Sequence, residues 1–346
     1  FFFERCSIMA DNETPSNAPE HCPGTASEAA GKAAACAGCP NQATCASAPK
    51  GPDPDIPLIQ ERMTSVKHKV MVLSGKGGVG KSTLTKELGL ALGNKDFQVG
   101  LIDADICGPS LPRLVGVRQE EVHMSNDGWE PVAVDETVSV VSVGFMLQQL
   151  DQAVIFQGAQ KNGLIKDFIK NVSWGDLDIL LIDTPPGTSD EHLSLASFFK
   201  QVGGCDGAIV VTTPQDVAIA DVRKEIAFCR KAGVPVLGVV ENMSGFVCPK
   251  CTKTTEIFKP KARGPGTKKG GEKLAEDFGV PFWGRVPLDP RLMQSCEEGV
   301  ALSSQYPDSP ASKALGSIAD LLVTSIRLED GRLEVDMDMD DGAACP

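Results

Sequence analysis

The sequence predicts an α/β protein built on a doubly wound, mostly parallel β-sheet. Two observations predict it. Short apolar, β-rich runs recur from Val66 onward, each followed by a segment long enough for a helix, and a glycine-rich string, "LSGKGGVGKST", joins the first run to its helix. Continuous apolar runs read as strands buried on both faces, and crossover-length spacers make their neighbours parallel. A loop leaving the carboxyl end of a strand in such a sheet is where ligands bind.

In chain order, residues 1–8 precede Met9, which reads as a natural start, and they are left outside the fold. Residues 1–55 form a flexible N-terminal segment: Met9 to Asp55 is rich in Ala, Pro, Gly, Ser and Asn and holds too few large aliphatics to bury a core. Residues 56–65 read as a linker, since the prolines of "KGPDPDIPLI" bias their predecessors away from helix. The α/β domain then spans 66–328. Its strands are "KVMVLS", "QVGLID", "VSVVSVG", "DILLID", "GAIVVTT", "PVLGVVEN" and "PFWGRVP". Residues 246–273 interrupt the pattern with Cys, Lys, Gly and Pro, and read as a long loop with room for a hairpin. Residues 329–346 form an acidic, solvated tail.

Composition narrows the function classes. A chain of 346 residues that is 42% hydrophobic can bury a large core. A net charge of −13 and a pI near 4.9 exclude nucleic acid or an anionic membrane as the main partner, Lys259 to Lys269 with Arg263 being the one basic patch. No apolar run approaches the ~18 residues of a membrane span, and Phe1 to Phe3 is too short for a signal-peptide core, so a soluble cytoplasmic protein is expected. Twelve cysteines without such a signal favour metal binding over disulfides.

The glycine-rich string satisfies G-x-x-x-x-G-K-[ST] at Gly75, Gly80, Lys81 and Ser82. In that pattern the backbone of Gly75, Lys76, Gly77, Gly78, Val79 and Gly80 cradles phosphate, with Ser82 and Thr83 opening the helix. Lys81 reaches the β and γ oxygens, and Ser82 ligates Mg2+. Asp183 ends one apolar run and can hold a magnesium-bound water beside Ser82; Asp103 and Asp105 end another. Asp103 is assigned to the magnesium shell and Asp105 to orienting the attacking water, helix capping being the bland reading. Asn242 and the loop around Asp289 are placed to meet the base, or else simply form turns.

Cys22, Cys36, Cys39 and Cys45 are grouped in a segment that has no packing use for them. Four such thiolates suit either one tetrahedral zinc or a [4Fe-4S] cluster. Cys248 and Cys251, in "FVCPKCTK", are two ligands of a four-thiolate site that a symmetric dimer completes, with zinc or a redox pair as alternatives. Cys6, Cys107, Cys205, Cys229, Cys296 and Cys345 are scattered and read as free.

The string G-K-G-G-V-G-K-S-T resembles the deviant Walker A ATPases of SIMIBI or MinD-like fold. That resemblance implies two subunits sandwiching ATP, with Lys76 crossing to the partner's phosphates as a catalytic residue in trans, much as an arginine finger does. Over residues 9–330 the chain further resembles the Mrp/Nbp family of iron–sulfur scaffold ATPases, in its eukaryotic cytosolic branch with an N-terminal ferredoxin-like motif. The strings that carry this are "CPGTASEAAGKAAACAGCPNQATC", "DADICGPSLPR", "LLIDTPPGTSDEHLS", "TTPQDVAIADVRKEI", "ENMSGFVCPKC" and "VPLDPR". The resemblance implies slow, regulatory ATP hydrolysis and assembly of [4Fe-4S] clusters for cytosolic and nuclear apoproteins. It implies a stable cluster on Cys22, Cys36, Cys39 and Cys45, and a labile, subunit-bridging one on Cys248 and Cys251. A smaller paralogous ATPase, transfer factors and recipient apoproteins are the implied partners, beside a homodimer. One departure stands out: Gln157, Ala159 and Gln160 replace residues of a W-R-G-P-K-K pattern, while Lys161, Asn162 and Gly163 persist.

The rival class is a protein-targeting or positioning ATPase with zinc at an interfacial C-x-x-C. It lacks support in a chain that ends in acid, scatters its nine methionines and carries four further cysteines. A zinc hydrolase is excluded because none of the four histidines stands at ligand spacing with an acid.

Overall fold

The computed structural model describes residues 19, 21–23, 27, 29–47, 53–146, 158–248, 250–251, 253–258 and 270–335. The basic patch at 259–269, Gln157, Cys6 and Cys345 lie outside them. The chain divides into two compact units, Phe1–Pro57 and Leu58–Pro346. In the first, a 3-10 turn at Ala34–Cys36 precedes helix α1 (Gln42–Ser47).

The linker expected at 56–65 is instead helix α2 (Ile56–Thr64). Pro57 lies in its first turn, where a missing N–H breaks no helical bond. Asp53 starts the turn: its carbonyl accepts from Ile56 N at 3.1 Å and its carboxylate from Asp55 N at 3.0 Å. Ile59 and Met63, one turn apart on one face, are buried.

All seven apolar runs form strands of one sheet. They are β1 (Val66–Ser74), β2 (Val99–Asp103), β6 (Val138–Ser142), β7 (Leu177–Asp183), β8 (Gly207–Thr212), β9 (Val236–Val247) and β11 (Phe282–Leu288). The sheet runs β11-β9-β8-β1-β7-β2-β6, all parallel. Short antiparallel strands extend it: β5 (Val132–Ala133) on β6 and β10 (Thr254–Thr255) on the far end of β9. A separate hairpin pairs β3 (His123–Ser125) with β4 (Gly128–Glu130).

Helices cover both faces. On one lie α3 (Lys81–Gly93), α4 (Leu111–Leu114), α9 (Pro290–Glu298), α10 (Leu302–Gln305) and α11 (Pro310–Val335). On the other lie α5 (Gly158–Asn171), α6 (Asp190–Gln201), α7 (Asp216–Ala232) and α8 (Gly270–Phe278). Strand alternation divides the core accordingly: Ile209 and Val211 of β8 join the α3/α11 cluster, and Val210 joins the α7/α8 cluster. The acidic tail begins later than residue 329, because "LEDGRLEV", rich in helix-compatible Leu, Glu and Arg, continues α11 to Val335.

Candidate nucleotide site and cysteine hairpin

The glycine-rich loop runs from the end of β1 to the start of α3. Gly75 is pressed so closely on α7 that a Cβ there would lie 2.4 Å from the Asp221 backbone. Gly80 caps α3 at φ +86°, a conformation that favours glycine, and so aims the first amides of a 13-residue helix at the loop. Lys76 is exposed at the loop's rim and Lys81 is buried beneath it.

Asp183, fully buried at the end of β7, gathers the helix start around one carboxylate. Its Oδ1 accepts from Lys81 Nζ at 2.6 Å and from Thr85 Oγ1 at 2.9 Å, and its Oδ2 from Ser82 Oγ at 2.5 Å. Thr85, which the motif reading missed, stands one helical turn after Lys81 and shares its face. The hydroxyl and carboxylate that hold a phosphate-bound magnesium in this motif are thus preassembled, a fit for Mg2+ and for a nucleotide's phosphates.

Asp103 pairs with Asp183 in register on the neighbouring strand, but its carboxylate has other partners. Its Oδ2 accepts from Ser110 N at 2.9 Å, Leu111 N at 3.0 Å and Ser142 Oγ at 3.2 Å, so it caps α4. The structure therefore brings Asp183, and not Asp103, to Ser82. Oδ1 of Asp103 is buried without a hydrogen bond. Burial, then repulsion from Asp183, lifts its pKa to about 7. Asp105 lies less deeply, accepts from Gly108 N at 3.3 Å, and is raised by burial against the pull of Lys81.

Three further groups border this loop. Lys161 of α5 pairs with Glu191 of α6 at 3.0 Å and also bonds the Cys107 thiol, both of which raise its pKa. The N–H of Ser189 donates to Nδ1 of His192 at 3.3 Å, which leaves the proton of the neutral ring on Nε2. Burial holds that ring neutral by lowering its pKa to about 4. Asn242, within β9, donates from Nδ2 to the Val79 carbonyl at 2.8 Å. Asp289 caps α9 and is paired with Arg291 at 2.8 Å, so its carboxylate is engaged locally, as the turn reading anticipates.

Within the interrupted segment, the end of β9 and β10 form a hairpin. Val247 pairs with Thr254 and Phe246 with Thr255, and Cys248 N donates to Lys253 O at 3.0 Å, so Cys248 and Cys251 lie at the turn end of the hairpin. The backbone N–H of Cys251, then that of Lys250, points at the Cys248 sulfur, and these bonds hold its pKa below that of an ordinary thiol. Such donors stabilise a thiolate ligand, and both cysteines are accessible, so the pair fits one half of a tetrathiolate site. Cys22, Cys36, Cys39 and Cys45 lie in the first unit. Cys36, Cys39 and Cys45 stand on successive hydrogen-bonded turns, and among the described residues no three Cys, His, Asp or Glu side chains gather to hold a metal.

A family profile described as ParA, NUBPL iron-transfer P-loop NTPase, matches residues 65–323. The chain belongs to this family. A nucleotide-binding protein from Archaeoglobus fulgidus, solved in complex with ADP and with cobalt found in it, is 35% identical; the match covers 72% of this chain and 93% of that one at a TM-score of 0.60. Two further structures share the fold at a TM-score of 0.51. The Pyrococcus furiosus cell division ATPase MinD is 23% identical over 74% of this chain and 98% of its own. MinD from Pyrococcus horikoshii with Mg-ADP is 22% identical over 74% and 96%. In this iron-transfer NTPase the phosphate loop and the cysteine hairpin emerge from strands β1 and β9, separated in the sheet only by β8. Among the described residues no helix is long and apolar enough to cross a membrane.

Proposed function

We propose that the chain is an ATP-dependent scaffold that assembles [4Fe-4S] clusters and transfers them to cytosolic and nuclear apoproteins. The observation that carries this reading is the Cys248/Cys251 tip: an accessible thiol pair, one thiol primed by two backbone donors, on an iron-transfer P-loop NTPase. Here the cluster is cargo. Two thiolates leave half its coordination open, and a second copy of the chain, or a smaller paralogous ATPase, supplies the other half.

Within this proposal ATP lies on Gly75–Thr83, with Mg2+ on Ser82 and Asp183. Asp105 orients the attacking water, and Lys76 reaches the γ-phosphate bound to the partner subunit. Asn242 meets the base. Hydrolysis is slow and gates cluster handling, because Lys76 acts only when two subunits have closed. Cys22, Cys36, Cys39 and Cys45 remain candidate ligands of a second cluster on the strength of their spacing, and no step is routed through them.

Anaerobic iron, sulfide and zinc analysis after iron–sulfide reconstitution tests the proposal, comparing the parent chain with Cys248→Ala/Cys251→Ala and with Cys36→Ala/Cys39→Ala. The loss of about two irons per chain with matching sulfide in the first variant, and of about four in the second, is the expected result for a shared cluster beside an N-terminal one. Stoichiometric zinc without sulfide at Cys248 and Cys251 would replace the scaffold with a targeting ATPase.

A further inference from the structure

We infer that Met243 is a positioning residue through which the occupied or empty state of the phosphate loop sets the aim of the Cys248/Cys251 hairpin. The inference rests on the reading of those two cysteines as metal ligands. Its starting point is a distortion in β9. Asn242 pairs with Val286 of β11, and Phe246 pairs with Leu288, so four residues of β9 advance against two of β11. Met243, Ser244 and Gly245 on β9 thus face the single Pro287 on β11, a surplus of two. Bulges of this kind re-aim the strand beyond them, and the strand beyond this one is the arm of the cysteine hairpin.

Met243 itself is held at φ +53°. An unbranched apolar side chain offers nothing locally to stabilise a left-handed backbone, so the surroundings impose it. Those surroundings are the phosphate loop. Asn242 spans the two, its Nδ2 donating to Val79 O at 2.8 Å and its Oδ1 accepting from Met243 N at 2.9 Å. A Cβ on Gly80 would stand 2.2 Å from Asn242 Nδ2 and 3.9 Å from Met243 Cε, so both side chains border the space beside that glycine.

The consequence is a two-position element shared by both sites. A nucleotide whose base engages Asn242 competes for the amide that holds Val79. Once that amide turns, Oδ1 no longer secures Met243 N, and the strained residue relaxes toward the right-handed region. The bulge then straightens and the hairpin swings. Nucleotide binding thus loosens the hold of the cysteines on their metal, and by linkage a metal on the cysteines weakens nucleotide binding by the same factor.

The test uses the full chain carrying Cys36→Ala and Cys39→Ala, so that cobalt(II) alone, followed by its thiolate charge-transfer band, reports on Cys248 and Cys251. Cobalt(II) is titrated with and without saturating Mg-ADP. The expected result is a Kd at least about fivefold weaker with ADP, matched by an equal weakening of ADP by cobalt(II). Met243→Gly tolerates φ +53° without strain and removes the side chain beside Gly80, so it folds, binds both ligands and loses the ratio. Met243→Leu keeps strain and reach, and keeps the ratio. A cobalt band that is absent, or that survives Cys248→Ser/Cys251→Ser, would overturn the metal site and the coupling with it. A band that depends on the two cysteines, with a Kd ratio below about twofold or one unchanged by Met243→Gly, would overturn the coupling alone.

Discussion

Replacing Lys86 by methionine should destabilise the NTPase unit severely, and replacing Lys86 and Glu87 together should not. Lys86 lies on α3 five residues after Lys81, with no exposed side-chain surface, and Glu87 is almost as deeply buried. Lys86 Nζ sits 2.6 Å from Glu87 Oε1 and 2.5 Å from the Val300 carbonyl, while Glu87 Oε2 accepts from Leu302 N at 3.1 Å. The pair therefore staples the phosphate-loop helix to the α9–α10 connection. Methionine keeps the volume of the lysine stem, so the cavity contribution is small. What remains is a buried carboxylate with a single amide donor, and breaking a buried pair on one side costs about 3–5 kcal/mol. In Lys86→Met/Glu87→Gln the amide oxygen still serves Leu302 N, and the main loss is the donor to Val300 O, roughly 1–2 kcal/mol. Urea unfolding followed by circular dichroism, closed as a double-mutant cycle with Glu87→Gln, reads the coupling directly; a value of about 2 kcal/mol or more is expected. A loss below about 1 kcal/mol in Lys86→Met, or a double variant as unstable as that single one, would refute the staple. The loosened helix should also bind ADP more weakly, since Lys81 and Ser82 lie on its first turn.

Two further outcomes follow from the site. Lys76→Ala should retain ADP binding, because that side chain is exposed and makes no contact with Asp183, yet lose turnover by on the order of a thousandfold; undiminished ATPase activity would remove the trans role. Asp103→Asn should change the pH dependence of stability. The folded pKa of Asp103 is raised to about 7 from 3.8, so as pH rises the unfolded chain ionises first and wild-type stability is lost between those two values. A rise of about 3 units corresponds to roughly 4 kcal/mol. The non-titrating variant escapes that loss, so its advantage should grow from pH 4 to pH 7 and then level off. A stability difference constant across that range would show that the buried carboxyl ionises as it does in the unfolded chain.

What the sequence made legible follows from what each signal depends on. The parallel strands could be read because burial on both faces writes an unbroken apolar run, as in β8, whose six residues are all buried. The phosphate loop could be read because its chemistry is local. Strands β3, β4 and β5 are two or three residues long and carry too little pattern to register. Helix α2 was hidden by Pro57, whose effect depends on whether it falls inside the first turn or beyond it, and that is set by the Asp53 turn.

The site was less legible than the fold because its decisive contacts are long-range. Asp103 and Asp183 look equivalent as strand-ending acids, and they are register partners. Only the position of α4 makes one a cap and leaves the other for Ser82. Asn242 and Val79 are 163 residues apart, yet they meet because β9 lies two strands from β1 and both chains leave the sheet at the same end. A motif search therefore returns a phosphate loop and a cysteine pair as unrelated strings. The strand order gives them a common wall, in which the residue after Asn242 is one of the two non-glycine positions among the described residues with positive φ. Strain at that point has no reason in the packing of a strand, and it has one if the wall must hold two positions.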